Sequence, residues 1–211
     1  LCIAAPEPYW LDDAVVPAPV VMSYEIVDPA YDVRELEVLR EVTHIGRTMG
    51  FSRARIVDAH DHSRLIAVST GAGMSLGAAP DGFVAVDNPP IDIDGSIELP
   101  PLHVAFGAER ASDGAWCIPR LTSQLAAPHG ALHLGPINVV LEAAAMDALG
   151  DDHAQVESWT VTMTGPGTIG PFVTSAVALS AGTRVPVELT LRDQGRDNRI
   201  IATARAIYRV G

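Results

Sequence analysis

Two stretches of this chain read as the same structural unit written twice. Residues 53–70 (RARIVDAHDHSRLIAVST) and 188–205 (ELTLRDQGRDNRIIATAR) each run strand, polar turn, strand, and setting Arg64 on Arg199 gives an offset of 135 residues. At that offset Asp58 meets Asp193, Ile66 meets Ile201, Ala67 meets Ala202, and Thr48 meets Thr183. Ser23-Tyr24 falls on Ser158-Trp159. A repeat this long implies two copies of a small domain rather than a solenoid, whose units run to about 20–50 residues. The expected division is a first domain over 1–75, a linker over 76–100 and a second domain over 101–211. The second copy has a long lead-in from Ser96, whereas only 1–52 precede the matched hairpin in the first. The first copy is therefore expected to lack its opening strand and most of its helix, with 1–5 as that helix's tail.

Composition narrows the function classes. Of the 211 residues 48% are hydrophobic and 19% charged, a globular balance. No apolar run approaches the roughly 20 residues that span a bilayer. The net charge is −12 and all 14 basic residues are arginine. Such a surface repels phosphate backbones, so nucleic acid is not an expected partner, and neither is a membrane. Cys2 and Cys117 sit in apolar contexts without metal-type spacing. Both read as small buried hydrophobes, and so few cysteines fit a cytoplasmic protein.

Period-two alternation and breakers place the elements. Strands are expected over 20–28, 34–45, 47–57 and 63–70. The Gly- and Pro-punctuated stretch 71–101 reads as the connection. Residues 102–109 and 114–120 read as a pair of strands. Residues 136–149 read as a helix, with Pro136 in its first turn and Gly150 as its C-terminal cap. That helix is apolar almost all round, so it belongs in a core. Residues 159–163, 185–191 and 199–209 read as strands, and 193–197 as a hairpin turn. Residues 58–62 (DAHDH) match that turn in the repeat and read as a turn, not a metal site.

A strand pair, a buried helix and a set of antiparallel strands is the order of a hotdog domain. The segments PLHVAFGAER and APHGALHLGPINVVLEAAAMDAL resemble acyl-CoA thioesterases of the phenylacetic-acid-pathway type within the hotdog superfamily. Their signature runs Asn-x-x-Gly-x-x-His-Gly-Gly, then a helix carboxylate. Gly130, His133 and Gly135 match it in the loop, and Glu142 matches the carboxylate. Ala127 replaces the asparagine and Leu134 a glycine. The resemblance implies an α+β double hotdog: one antiparallel sheet wrapped around a long central apolar helix. It also implies an acyl-CoA substrate, no separate cofactor, and a homodimer of double-hotdog chains.

The implied chemistry uses Glu142 as general base. Helix N-terminal amides at Leu134 and Gly135 would stabilise the oxyanion, since such amides are unpaired at the positive end of the helix. His133 joins the catalytic set. Leu134, Asn138, His129 and Gly130 are expected to line the substrate. Glu142 is expected to be largely buried and to face the loop 128–135 or a domain interface. A bland reading stands beside this one: Glu142 pairs with Asn138, an arginine or a partner chain, and His133 caps backbone groups. Arg47, Arg53, Arg55 and Arg184 are candidates for holding CoA phosphates. Two rivals remain open. One is a hydratase or dehydratase on the same fold, with His129 as base and Glu142 as its partner. The other is a non-catalytic acyl-CoA binder, which Ala127 and Leu134 favour.

Overall fold

The computed structural model describes residues 15–78, 100–127 and 129–211. Ten strands form one antiparallel sheet: β1 (Val15–Ile26), β2 (Leu36–Ile45), β3 (Met49–Asp58), β4 (Asp61–Ala78), β5 (Glu109–Arg110), β6 (Trp116–Ile118), β7 (Gln155–Met163), β8 (Phe172–Ala178), β9 (Arg184–Asp193) and β10 (Arg199–Arg209). Their order is β2-β3-β4-β1-β7-β10-β9-β8-β6-β5. Among the described residues two helices join them, α1 (Leu102–Ala105) and α2 (Leu134–Leu149).

The repeat is carried by the strands. β3 and β9 begin and end 135 residues apart. The order β2-β3-β4-β1 is mirrored by β7-β10-β9-β8, and the mirror lies in the ladder between β1 and β7. There Ser23 pairs with Thr160, Tyr24 with Trp159 and Glu25 with Ser158. Tyr24 and Trp159 are also each other's counterparts at offset 135, so an approximate two-fold axis passes through this one cross-strand pair.

The two halves fill their inner faces differently. Val185, Val187 and Leu189 on β9 stand where Gly50, Ser52 and Ala54 stand on β3. The main core accordingly lies in the second half. Leu141, Val161, Val187, Leu191, Ile201 and Ala206 are all completely buried there. Among the described residues of the first half, Ile56, Ile66 and Ala67 form a small cluster, while Met22 and Tyr24 of β1 join the main core.

Three expectations are corrected. Strand β4 runs on to Ala78, because β1 and β3 flank it and pair with 71–74 on both sides. The glycines there read as breakers in the sequence but are strand residues in the sheet. Residues 102–109 form the short helix α1 and the start of β5 instead of one strand. Finally, α2 has 16 residues and packs on β6, β8 and β9, with Asn138 hydrogen-bonded to Trp159 on β7, and no long central helix stands among the described residues. At the strand offset the counterpart of α2 falls at residues up to 14, outside the described residues.

Candidate active site

Helix α2 starts where its sequence allows. His133 is the N-cap, and its Nδ1 accepts a 3.2 Å hydrogen bond from the Gly135 amide. Gly150 closes the helix in the left-handed conformation (φ 63°) that a residue without Cβ adopts freely. The preceding loop is a closed turn. Ala127 donates to the Ala131 carbonyl (2.7 Å), Leu132 to Gly167 (2.7 Å) and His133 to Leu125 (2.8 Å). Gly130 has φ 76°, which the turn requires.

Asp193 secures the facing loop. It is completely buried and accepts from the amides of Thr168 (2.8 Å), Ile169 (3.1 Å) and Gly170 (2.8 Å). The helix N-terminus is thus built by three segments that sequence spacing alone does not join.

The expected site residues do not converge. His129, Gly130, His133 and Gly135 gather at the N-terminal end of α2. Glu142 lies seven residues beyond Gly135, about 10 Å along the axis at 1.5 Å per residue. His133 is nine residues away, which places it half a turn around the helix. A single thioester carbonyl cannot touch both Glu142 and the Gly135 amide, and that amide is already engaged by His133. Leu134 packs against the core.

Asn138 is a structural pin. Its Oδ1 accepts from the Trp159 indole N–H at 2.8 Å, and its Nδ2 donates to the Leu134 carbonyl at 3.0 Å. It is 7% exposed and ties α2 to the strand pair on the pseudo-two-fold axis.

Glu142 instead faces a cavity of about 560 Å³. Ile26, Pro29 and Tyr31 from the first half line it together with His103, Trp116, Val139, Met146 and Tyr208 from the second. The side chain is reached by solvent, contrary to the expected burial, and it faces the junction of the two halves, the second of its two expected surroundings, instead of the loop 128–135. The walls still strip enough water to push its carboxyl above the usual range. Proximity to His103 opposes that shift.

The mouth is crossed by the segment between β1 and β2. Arg64 donates to Asp28 (2.8 Å) and to both oxygens of Asp32 (2.9 and 2.7 Å), holding this segment in place. These bonds draw the Asp32 carboxyl down to about 2. Tyr31 thereby reaches across, and its hydroxyl accepts from Gln155 at 2.9 Å. Arg199, the counterpart of Arg64, lies against Gly165, the counterpart of Ala30.

On the inner wall His103 meets Trp116 edge-on, with centroids 4.5 Å apart. Arg110 covers the Trp116 ring at 4.0 Å and grips Asp147 with both terminal nitrogens, one of them at 2.8 Å. That contact holds the Asp147 carboxyl low. Tyr208 is 1% exposed, its hydroxyl has no partner among the described residues, and burial raises its pKa. His103, Trp116, Tyr31 and Tyr208 were not singled out from sequence. They lie far apart in the chain, and only the sheet order brings them together.

The arginines expected to hold CoA phosphates are elsewhere. Arg53 and Arg55 alternate with the buried Ala54 and Ile56, so they stand on the sheet face away from α2. Arg53 is held by Glu41 (3.0 and 2.9 Å). Arg184, on the corresponding face of β9, donates to Glu157 at 2.6 Å. Arg47 lies in the turn between β2 and β3.

No protein-family model matches this sequence, and no curated protein matches it. Solved structures share its fold. The TesB protein of Mycobacterium avium subsp. paratuberculosis aligns with a TM-score of 0.59 at 13% identity, over 92% of this chain and 78% of that one. Acyl-CoA thioesterase II TesB2 of Mycobacterium marinum aligns at 0.55 and 14%, over 92% and 80%. A conserved protein of unknown function with a hot dog fold from Alicyclobacillus acidocaldarius aligns at 0.52 and 9%, over 93% and 80%. The chain has the hotdog fold. The names of these three do not bear on the phenylacetic-acid-pathway type that the loop residues resemble.

Proposed function

We propose that this chain hydrolyses an acyl thioester, with the acyl group in the cavity between the two halves and Glu142 as general base. The observation that carries this reading is a carboxylate with a raised pKa, on a mostly apolar helix, facing a cavity built by both copies of the repeat. A base with its pKa displaced toward neutrality suits proton abstraction from water at physiological pH. The fold shared with solved thioesterases supports this chemistry. The division into two hotdog units, 1–75 and 101–211, belongs to the same proposal.

Two parts of the sequence reading change. The oxyanion is not held by the amides at the start of α2 while Glu142 acts on the same carbonyl, because the helix separates them. The carrier's phosphates do not meet Arg53, Arg55 or Arg184 from this cavity. The hydratase reading loses its pair, since His129 sits in the loop before α2 and does not line the cavity of Glu142.

The test is release of free thiol from a panel of acyl-CoA esters of differing acyl group. Turnover of one or more of them is expected. No thiol release across the panel, with a ligand still bound in the cavity, would leave the non-catalytic binder as the answer.

A further inference from the structure

With Glu142 as the base, the reaction still needs a donor for the carbonyl oxygen. The amides at the start of α2 lie too far along the helix to serve the same carbonyl. Negative charge develops on that oxygen, and a preorganised N–H aimed at it is commonly the largest single contribution to such catalysis. The donor therefore has to come from the wall of the Glu142 cavity itself. The donor-bearing side chains of that wall are Tyr31, His103, Trp116, Gln155 and Tyr208. Tyr31 and Gln155 are bonded to each other at 2.9 Å, and both are exposed at the mouth. The Trp116 indole N–H and the Tyr208 hydroxyl are sealed inside the wall. His103 is left. It is half-buried, and among the described residues no hydrogen bond or ion pair engages its ring nitrogens.

We infer that the imidazole N–H of His103 is the oxyanion donor of the Glu142 site, an inference that rests on the thioesterase reading. The ring is held ready for this role. It stands edge-on to Trp116, with an interplanar angle of 69°. Its backbone is fixed by the short helix α1, which packs on α2, and its carbonyl accepts from the Ala108 amide at 2.9 Å. The imidazole and the Glu142 carboxylate also interact electrostatically. An imidazole carries at least one N–H in either protonation state, so the donor is present throughout the pH range in which a glutamate base works. In the first step Glu142 takes a proton from water while the water oxygen bonds to the carbonyl carbon. The carbonyl electron pair moves onto oxygen, where the His103 N–H holds it. The pair then returns, the C–S bond breaks, and the sulfur takes the proton from Glu142. Thiol and carboxylic acid result, and the acid ionises to solvent.

The experiment compares wild type with His103→Phe, His103→Leu and His103→Gln on the acyl-CoA esters that wild type turns over, followed by thiol release. The first two variants remove the N–H, and having both means that the result does not depend on one of them folding. His103→Gln keeps an N–H donor. Removal is expected to lower kcat by about a hundredfold to a thousandfold, the usual cost of one lost oxyanion donor. KM should stay within about threefold, because the charge exists in the transition state and not in the bound ester. His103→Gln should be at least about tenfold faster than His103→Phe, since its amide N–H stands in for the imidazole. A kcat within about threefold of wild type in a folded removal variant overturns the inference and leaves hydrolysis by Glu142 in place. So does a loss confined to KM, or His103→Gln no faster than His103→Phe. No turnover of any ester by wild type overturns the thioesterase reading and this inference with it, so the two failures are distinguishable.

Discussion

If Asn138 pins α2 to the pseudo-two-fold strand pair, replacing it with leucine should damage stability and leave substrate affinity alone. Leucine keeps the number of side-chain heavy atoms and the branch at Cγ and removes both hydrogen bonds. The Trp159 indole N–H, on a residue 8% exposed, then loses its acceptor inside the core. An orphaned buried donor costs about 1–3 kcal/mol, and the lost bond to the Leu134 carbonyl adds about 1 kcal/mol. The sum is about 2–4 kcal/mol. For a chain of this size each kcal/mol lowers Tm by about 2–4 °C, so a fall of roughly 5–15 °C is expected. Urea unfolding of wild type, Asn138→Leu, Trp159→Phe and the double variant gives the coupling directly. A coupling energy of about 1–2 kcal/mol is expected, since the second change removes the donor that the first strands. The reasoning is refuted if Asn138→Leu costs under about 0.5 kcal/mol with no coupling, and raises KM for a thioester instead. Asn138 would then be a substrate contact, as its place on the Glu142 side of the helix suggests from sequence.

Asp193→Ala should destabilise by about 3–5 kcal/mol in chemical denaturation, because three backbone amides lose one buried acceptor. Gly195→Ala should cost about 2 kcal/mol or more in the same assay, since an added Cβ would stand 2.2 Å from the Gly170 carbonyl oxygen. Glu142→Gln should raise Tm at neutral pH. A carboxyl with a raised folded-state pKa contributes stability that is present below its unfolded value and lost as pH rises through the folded one. The gain over wild type should therefore shrink as pH falls below the ordinary glutamate range, and a gain independent of pH would contradict that burial-driven shift.

The repeat was legible because strands that pair alike conserve their polar turns. Arg64 and Arg199 reach matching loops, and β3 and β9 share one offset to the residue. The boundaries were not legible where tertiary pairing overrides local signals. Gly71, Gly73 and Gly77 look like breakers, yet β4 is held through the first two by neighbours on both sides. Glu142 stood out as the lone acid mid-helix on an apolar element, a costly residue without a role or partner. Its surroundings could not be read from sequence, since Tyr31, His103, Trp116 and Tyr208 are joined only by the order of the sheet. Asn138 shows the opposite error. An i, i+4 stripe brings it near Glu142, but a 40° turn of the helix separates a core hydrogen bond from a cavity wall.

The most direct measurement is the pH dependence of thioester hydrolysis by wild type and Glu142→Gln, followed by thiol release. Wild type should show an acid limb in kcat/KM with an apparent pKa above the ordinary glutamate value. Glu142→Gln should lose that limb and fall by about a hundredfold or more in kcat, the usual cost of a missing general base. Unchanged turnover and an unchanged acid limb in a folded Glu142→Gln protein would contradict the account.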